Sequence, residues 1–435
     1  MNDYRQYVGI LSIIARRFAV GGTNSYNSQV KNKRRFRLGP GVLVTAAFIG
    51  PGTITTCTLA GARFGFNLLW TMLFAVAATF ILQEMSARLG IISGRGLGEA
   101  LRTSFPRGIP RLVSLILVGS AIAVGNAAYE AGNIAGAALG ITSILPEAFF
   151  GFRAWPLLIG LIAGGLLFSG NYKLLEKSLI GLVLLMSLVF VVTAVWARPD
   201  IGLLLKGLFK PSLPPGSLLT VIGLIGTTVV PYNLFLHSST VTERWPTLAD
   251  LGPARMDAGV SIAVGGIISM AVIVSAAAAF NTGPAGMTSA GDLALQLEPL
   301  LGYWARLVMG LGLLAAGLTS AITAPLAAAY ACSGILGWPR DSADNRFRLV
   351  WLIVLACGTM LASLGVKPIQ LILFAQAANG LLLPVIAAYL LWVVNDRRLM
   401  GQQRNSMPLN LAGGLVLLVT VMLGLRSILQ VFKLM

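Results

Sequence analysis

Ile225-Gly226-Thr227-Thr228-Val229-Val230-Pro231-Tyr232-Asn233-Leu234-Phe235-Leu236-His237 is an apolar stretch with a proline at its centre. Proline has no backbone N–H and its ring collides with the preceding turn, so a helix entering this stretch must stop and restart. A second stretch, Phe48-Ile49-Gly50-Pro51-Gly52-Thr53-Ile54, sets a proline between two glycines and is equally unsuited to continuous helix. Both lie inside long apolar runs. Backbone freed from hydrogen bonds at membrane depth is tolerated only where it is packed in protein or lines a cavity.

The surrounding composition makes the membrane setting explicit. Of 435 residues, 56% are apolar and 11% charged, against about 25% charged in soluble domains. Mean hydropathy is +0.82. That content suffices for about eleven or twelve spans of ~20 residues. It excludes a soluble enzyme, a disulfide scaffold and a disordered chain. Apolar runs place eleven spans near 41–62, 66–89, 112–138, 155–171, 175–197, 217–243, 256–280, 301–335, 347–365, 369–393 and 409–432. The two interrupted runs are spans one and six. They are the corresponding members of a first half at about 41–197 and a second at about 217–394, with an extra helix at about 409–432. Interrupted helices at matching positions of two halves point to a transporter built from inverted repeats, with its site at the breaks.

Residues 1–37 read as a basic cytoplasmic arm, ending in Lys31, Lys33, Arg34, Arg35 and Arg37, ahead of a transmembrane domain over 38–435. The net charge of +17 reflects basic cytoplasmic loops rather than nucleic-acid binding. Most of the 32 Lys and Arg residues fall on one side when the N-terminus is placed in the cytoplasm. An odd span count then leaves the C-terminus outside. Cys57, Cys332 and Cys357 lie in apolar runs, and His237 is the single histidine. Neither a disulfide framework nor a histidine-rich metal centre is expected.

Several segments resemble the Nramp family of divalent metal transporters. Val230-Pro231-Tyr232-Asn233-Leu234-Phe235-Leu236-His237-Ser238-Ser239 resembles that family's Met-Pro-His-Asn-Leu-Phe-Leu-His-Ser block. Gly50-Pro51-Gly52-Thr53 falls where the family carries Asp-Pro-Gly-Asn. Leu82-Gln83-Glu84-Met85-Ser86-Ala87-Arg88-Leu89-Gly90-Ile91 is similar to its second-helix stretch, and Asn171-Tyr172-Lys173-Leu174-Leu175-Glu176-Lys177 to its loop before helix five. The resemblance covers about residues 36 to 400. It implies the LeuT-type fold: an all-α polytopic membrane protein of two inverted five-helix repeats plus an eleventh helix, with helices 1 and 6 broken.

The departures from the family pattern bear on the cargo. The family's metal ligands are the Asp and Asn of helix one and the Met of helix six, and those places hold Gly50, Thr53 and Val230. Carboxylate and thioether are both gone, and with them the soft ligand that favours transition metals. The histidine after the proline is Tyr232. Of the acidic pair on helix three, Glu130 remains and the other acid is Ala127. The oxygens left are the Thr53 and Tyr232 hydroxyls, carbonyls near Gly50 and Thr227–Val229, and, by the family pattern, the Gln376 amide. Neutral oxygens suit a hard cation that keeps part of its water, as Mg²⁺ does. The resemblance extends to a magnesium-carrying branch that lacks the methionine. The expected function is therefore a divalent cation carrier, Mg²⁺ first and Mn²⁺ second. The metal is cargo, no cofactor is required, and a monomer in a bacterial inner membrane is expected.

Proton coupling needs titratable groups along a path. With one acid gone at the break and one on helix three, coupling is expected to be weak or absent, leaving Glu130, His237 and Asn233 as candidates for protons or gating. Glu84 is expected to pair with Arg88 one turn on. Three readings compete: an ion-coupled carrier of a small organic solute on the same fold, an integral membrane enzyme, and a channel. The enzyme lacks a nucleophile and base that can be assembled from one histidine and few buried acids. The paired breaks favour alternating access over a channel.

Overall fold

A computed structural model describes residues 49–104, 108–145, 154–170, 173–280, 289–339 and 344–431. The basic arm at 1–37, the front half of the first span and part of the Asn171–Lys177 block lie outside them. Every regular element among the described residues is helical. Fourteen helices of eight residues or more follow in order: α1 Pro51–Phe64, α2 Leu69–Ser93, α3 Leu97–Ser104, α4 Ile109–Ile144, α5 Ala154–Ser169, α6 Lys173–Trp196, α7 Ile201–Phe209, α8 Leu218–Thr228, α9 Pro231–Arg244, α10 Leu251–Ala279, α11 Ala305–Leu336, α12 Asn345–Ser363, α13 Pro368–Val394 and α14 Met407–Val431. Nine helical stretches among the described residues are long and apolar enough to cross a membrane. One of them, Pro51–Ser93, holds both the first and second expected spans. The sixteen-residue Ala154–Ser169 is the short fourth. The protein is an integral membrane protein. Its large outward apolar side chains, such as Leu161, Val195 and Leu418, have lipid as their solvent.

The halves repeat one order: a helix that opens on proline (α1, α9), a long helix, a short helix, then three further helices. α3 occupies that short position in the first half and Ala290–Ala294 in the second. A half with five crossings ends on the side opposite its start, so the second half is inverted. α14 follows both.

Each proline at a break opens a helix rather than sitting within one. Pro51 is the first residue of α1, after Gly50, and Pro231 the first of α9, after Val230. At that position the missing N–H has no intrahelical partner to lose. α8 closes at Thr228, with Val229 N donating to the Ile225 carbonyl at 2.8 Å. Two expected spans differ by five residues or more at one end. The third runs six residues past 138, to Ile144, because Gly140 lies on the α11 crossing instead of ending the helix. The seventh begins at Leu251 rather than 256. α3 and α7 are unexpected; at eight and nine residues they are too short to register as spans.

Small residues let the helices meet backbone to backbone, the mode that replaces hydrophobic association in lipid. A Cβ on Gly317 of α11 would lie 2.6 Å from Ala137 N of α4. A Cβ on Gly226 of α8 would lie 2.1 Å from the Gln376 carbonyl and 2.5 Å from Gly380 N, both on α13. Backbone cannot retreat as a side chain does. Gly226→Ala is therefore expected to lower stability by about 1–3 kcal/mol or more. Gly165→Ala on α5, where a Cβ meets nothing within 4 Å, should be neutral. Thermal unfolding of the two purified variants checks this, and equal midpoints would contradict it.

Candidate functional site

The start of α1 and the break between α8 and α9 come together. Thr53 Oγ1 lies 2.7 Å from Thr227 Oγ1, a hydrogen bond between two buried hydroxyls 174 residues apart. Thr53 stands in the first turn of α1 and Thr227 in the last turn of α8. Pro231 has no N–H to give the Thr227 carbonyl four residues back, so that carbonyl is left open by covalent structure. It belongs to the C-terminal end of α8, the negative end of the helix dipole. Oxygens therefore converge where the ladder stops.

Gln376 reaches the same place from α13. A Cβ on Gly52 would fall 2.0 Å from its Nε2, so the glycine after Pro51 makes room for the amide. The Gln376 Oε1 is buried without a hydrogen-bond partner among the described residues. Gly50 caps α1 in extended backbone. A Cβ there would lie 3.2 Å from Ser320 Oγ of α11 and 3.8 Å from the Tyr129 hydroxyl of α4. Ser320 Oγ is likewise buried and unpartnered among the described residues. Ser320 and Tyr129 were not singled out by the sequence reading. A hydroxyl within the small-residue run of α11 was the available signal.

Val230 caps α9 and is buried, and its side chain carries no donor or acceptor. Tyr232 packs edge-on against Tyr129, ring centroids 5.4 Å apart. Tyr232 also borders a cavity of about 10 Å³, shared with Asn126, Pro231 and Asn379, room for about one water. Both amide atoms of Asn233 are buried without partners among the described residues.

The two candidate proton groups sit differently. Glu130 is fully buried, and its Oε2 accepts from Asn133 Nδ2 at 3.2 Å. Its stem fills the space left by Gly358 of α12, where a Cβ would lie 2.5 Å from Glu130 Cγ. On α4 it is thus Tyr129 that turns to the break and Glu130 that turns to α12. His237 Nδ1 donates to Gln83 Oε1 of α2 at 2.8 Å, so the imidazole ties α9 to α2. Glu84 takes Arg88 Nε at 3.0 Å as expected, and also Arg255 of α10 at 2.6 Å.

Comparison with known proteins adds an independent line. The family described as natural resistance-associated macrophage protein-like (Nramp) matches residues 41–430. A protein named divalent metal cation transporter MntH, from Pectobacterium carotovorum, is 30% identical over 422 residues, covering 93% of this chain and 97% of that one. A crystal structure of a mutant of the Eremococcus coleocola manganese transporter aligns with a TM-score of 0.71 at 20% identity, over 89% of this chain and 85% of that chain. MhsT in complex with L-phenylalanine aligns with a TM-score of 0.57 at 15% identity, over 88% of this chain and 98% of that chain. At those identities the two solved structures speak to the fold, which is of the LeuT type.

Proposed function

The chain belongs to the Nramp family, and from that premise we propose that it carries divalent metal cations across a bacterial plasma membrane by alternating access. The breaks are its cation site. Thr53, Thr227, Tyr232, Gln376 and the carbonyls at Gly50 and Thr227 would face the ion, with Val230 as wall. Mg²⁺ is the first candidate and Mn²⁺ the second. The single observation that carries the choice is the Thr53–Thr227 hydroxyl pair set among neutral oxygens, with no carboxylate or thioether at positions 50, 53 and 230. A bare divalent ion needs close negative charge to offset its lost water. A partly hydrated Mg²⁺ meets neutral oxygens through its own waters.

The N-terminus is placed in the cytoplasm and the C-terminus outside. Two charges moving down a negative-inside potential gain about 4.6 kcal/mol per 100 mV, so entry needs no proton. Glu130 turned to α12 and His237 held on Gln83 fit weak or absent coupling. No cofactor or enzymatic step is involved. The L-phenylalanine complex of MhsT is a reminder that the fold alone does not choose the cargo. The organic-solute carrier is therefore the reading to test against.

The test uses purified protein in sealed liposomes at a negative-inside potential, following internal Mg²⁺, Mn²⁺ and pH. Saturable Mg²⁺ entry without acidification is the expected result. Entry of neither ion would discard the cargo. Thr53→Val with Thr227→Val should raise the half-saturating Mg²⁺ concentration about tenfold, the equivalent of ~1.4 kcal/mol. An unchanged value would remove the hydroxyl pair from the site.

A further inference from the structure

A cavity of about 410 Å³ opens at one end of the bundle, lined in part by Thr142 and Ser143 of α4, Ser289, Arg306 of α11, and Lys367 and Pro368 at the start of α13. Its position follows from the helices that form it. Pro368 stands eight residues ahead of Gln376 on α13, about 12 Å along the axis. Thr142 stands thirteen residues beyond Tyr129 on α4, about 20 Å. The cavity therefore lies on the same two helices as the break, toward their outer ends in the orientation proposed above.

Its charge runs against the traffic. Arg306 and Lys367 both border it and both are exposed. Among the described residues, neither has an ion-pair partner and none that lines the cavity is acidic. The nearby carboxylate, Asp292, is turned back onto the Ser289 amide at 2.8 Å. The Thr142 and Ser143 hydroxyls donate to the Leu139 and Gly140 carbonyls of their own helix. The charged donors bordering the cavity among the described residues are the Arg306 guanidinium fork and the Lys367 ammonium, the pair that recognises oxyanions. Two bare cations above a cation route also raise the potential an arriving divalent ion must climb. A bound anion removes that obstacle.

We propose that this cavity is an oxyanion site, holding on Arg306 and Lys367 either a free phosphate- or sulfate-like anion or the phosphate of a lipid headgroup. Its place above a cation route rests on the function proposed above. The anion chemistry rests on the cavity and its two cations.

The experiment titrates inorganic sulfate into the purified full chain by calorimetry, and measures retained phospholipid on the same samples by native mass spectrometry. The samples are wild type, Arg306→Gln with Lys367→Gln, and the charge-keeping Arg306→Lys with Lys367→Arg. A free-anion site gives sulfate binding that weakens about tenfold or more when both charges are removed and persists in the charge-keeping variant. A headgroup site gives sulfate binding only after lipid is stripped, with phospholipid released from the neutral variant alone. Sulfate and lipid both indistinguishable across the three proteins would overturn the proposal. Anion binding in a protein that carries no divalent cation would keep the pocket and discard the route. Cation transport with no difference in anion binding would do the reverse.

Discussion

Gly50→Asp combined with Val230→Met is expected to turn the protein toward Mn²⁺, raising the Mn²⁺ to Mg²⁺ transport ratio by about tenfold or more, the effect of ~1.4 kcal/mol of differential binding. The structure has room for the change. A Cβ at position 50 meets Ser320 Oγ at 3.2 Å, tight but polar, and that hydroxyl is unpartnered among the described residues. It can turn and donate to an introduced carboxylate. Position 230 caps α9 at the break, three residues after Thr227, and a thioether there is expected to reach the cation. A carboxylate alone strengthens binding of both ions, whereas thioether sulfur favours the softer one. Gly50→Asp by itself should therefore lower both half-saturating concentrations, and the second substitution should separate them. The carboxylate also restores a titratable group at the break, so internal acidification should accompany uptake in the double variant. Uptake competition between the two ions, with internal pH recorded, checks both parts. An unchanged ratio would sink the ligand assignment.

What the chain discloses before folding divides along physical lines. The breaks at Pro51 and Pro231 are legible because a missing N–H is a covalent fact. Yet proline alone does not announce a break: Pro325 and Pro384 sit inside α11 and α13, which run on through them. The pairing of the two breaks at matching places in two halves carried the distinction. Rotation about a helix axis is not legible. Tyr129 and Glu130 are neighbours in sequence and about 100° apart on the helix. Only packing against Gly358 decides that the acid faces α12 while the phenol faces the break. Ser320 escaped for a related reason, since nothing local to α11 says that Gly50 will lie opposite it. The Gln83–His237 bond spans 154 residues, and neither residue alone predicts it.

Glu84→Ala is expected to be the most destabilising single change where α2 meets α10 and the start of α14, by about 3–5 kcal/mol. Glu84 and Arg88 are 5% and 2% exposed, one turn apart on α2. Arg88 also donates to the Gln403 carbonyl and the Asn405 side chain just before α14. Removing the carboxylate leaves a guanidinium buried with neutral acceptors only. Desolvation of an unpaired charge outweighs what those acceptors return. Arg255 is the contrast. It binds the same carboxylate oxygen at 2.6 Å but is 45% exposed, so water replaces Glu84 readily, and Arg255→Gln should cost at most about 1 kcal/mol. Replacing both partners by apolar side chains, Glu84→Met with Arg88→Met, removes the stranded charge and should recover most of the loss. Unfolding of the purified variants by heat or by sodium dodecyl sulfate gives the order: wild type and Arg255→Gln highest, the double methionine variant next, Glu84→Ala lowest. If Glu84→Ala unfolds with Arg255→Gln, the pair on α2 is not what fixes this junction, and the neutral contacts to Gln403 and Asn405 carry Arg88 by themselves.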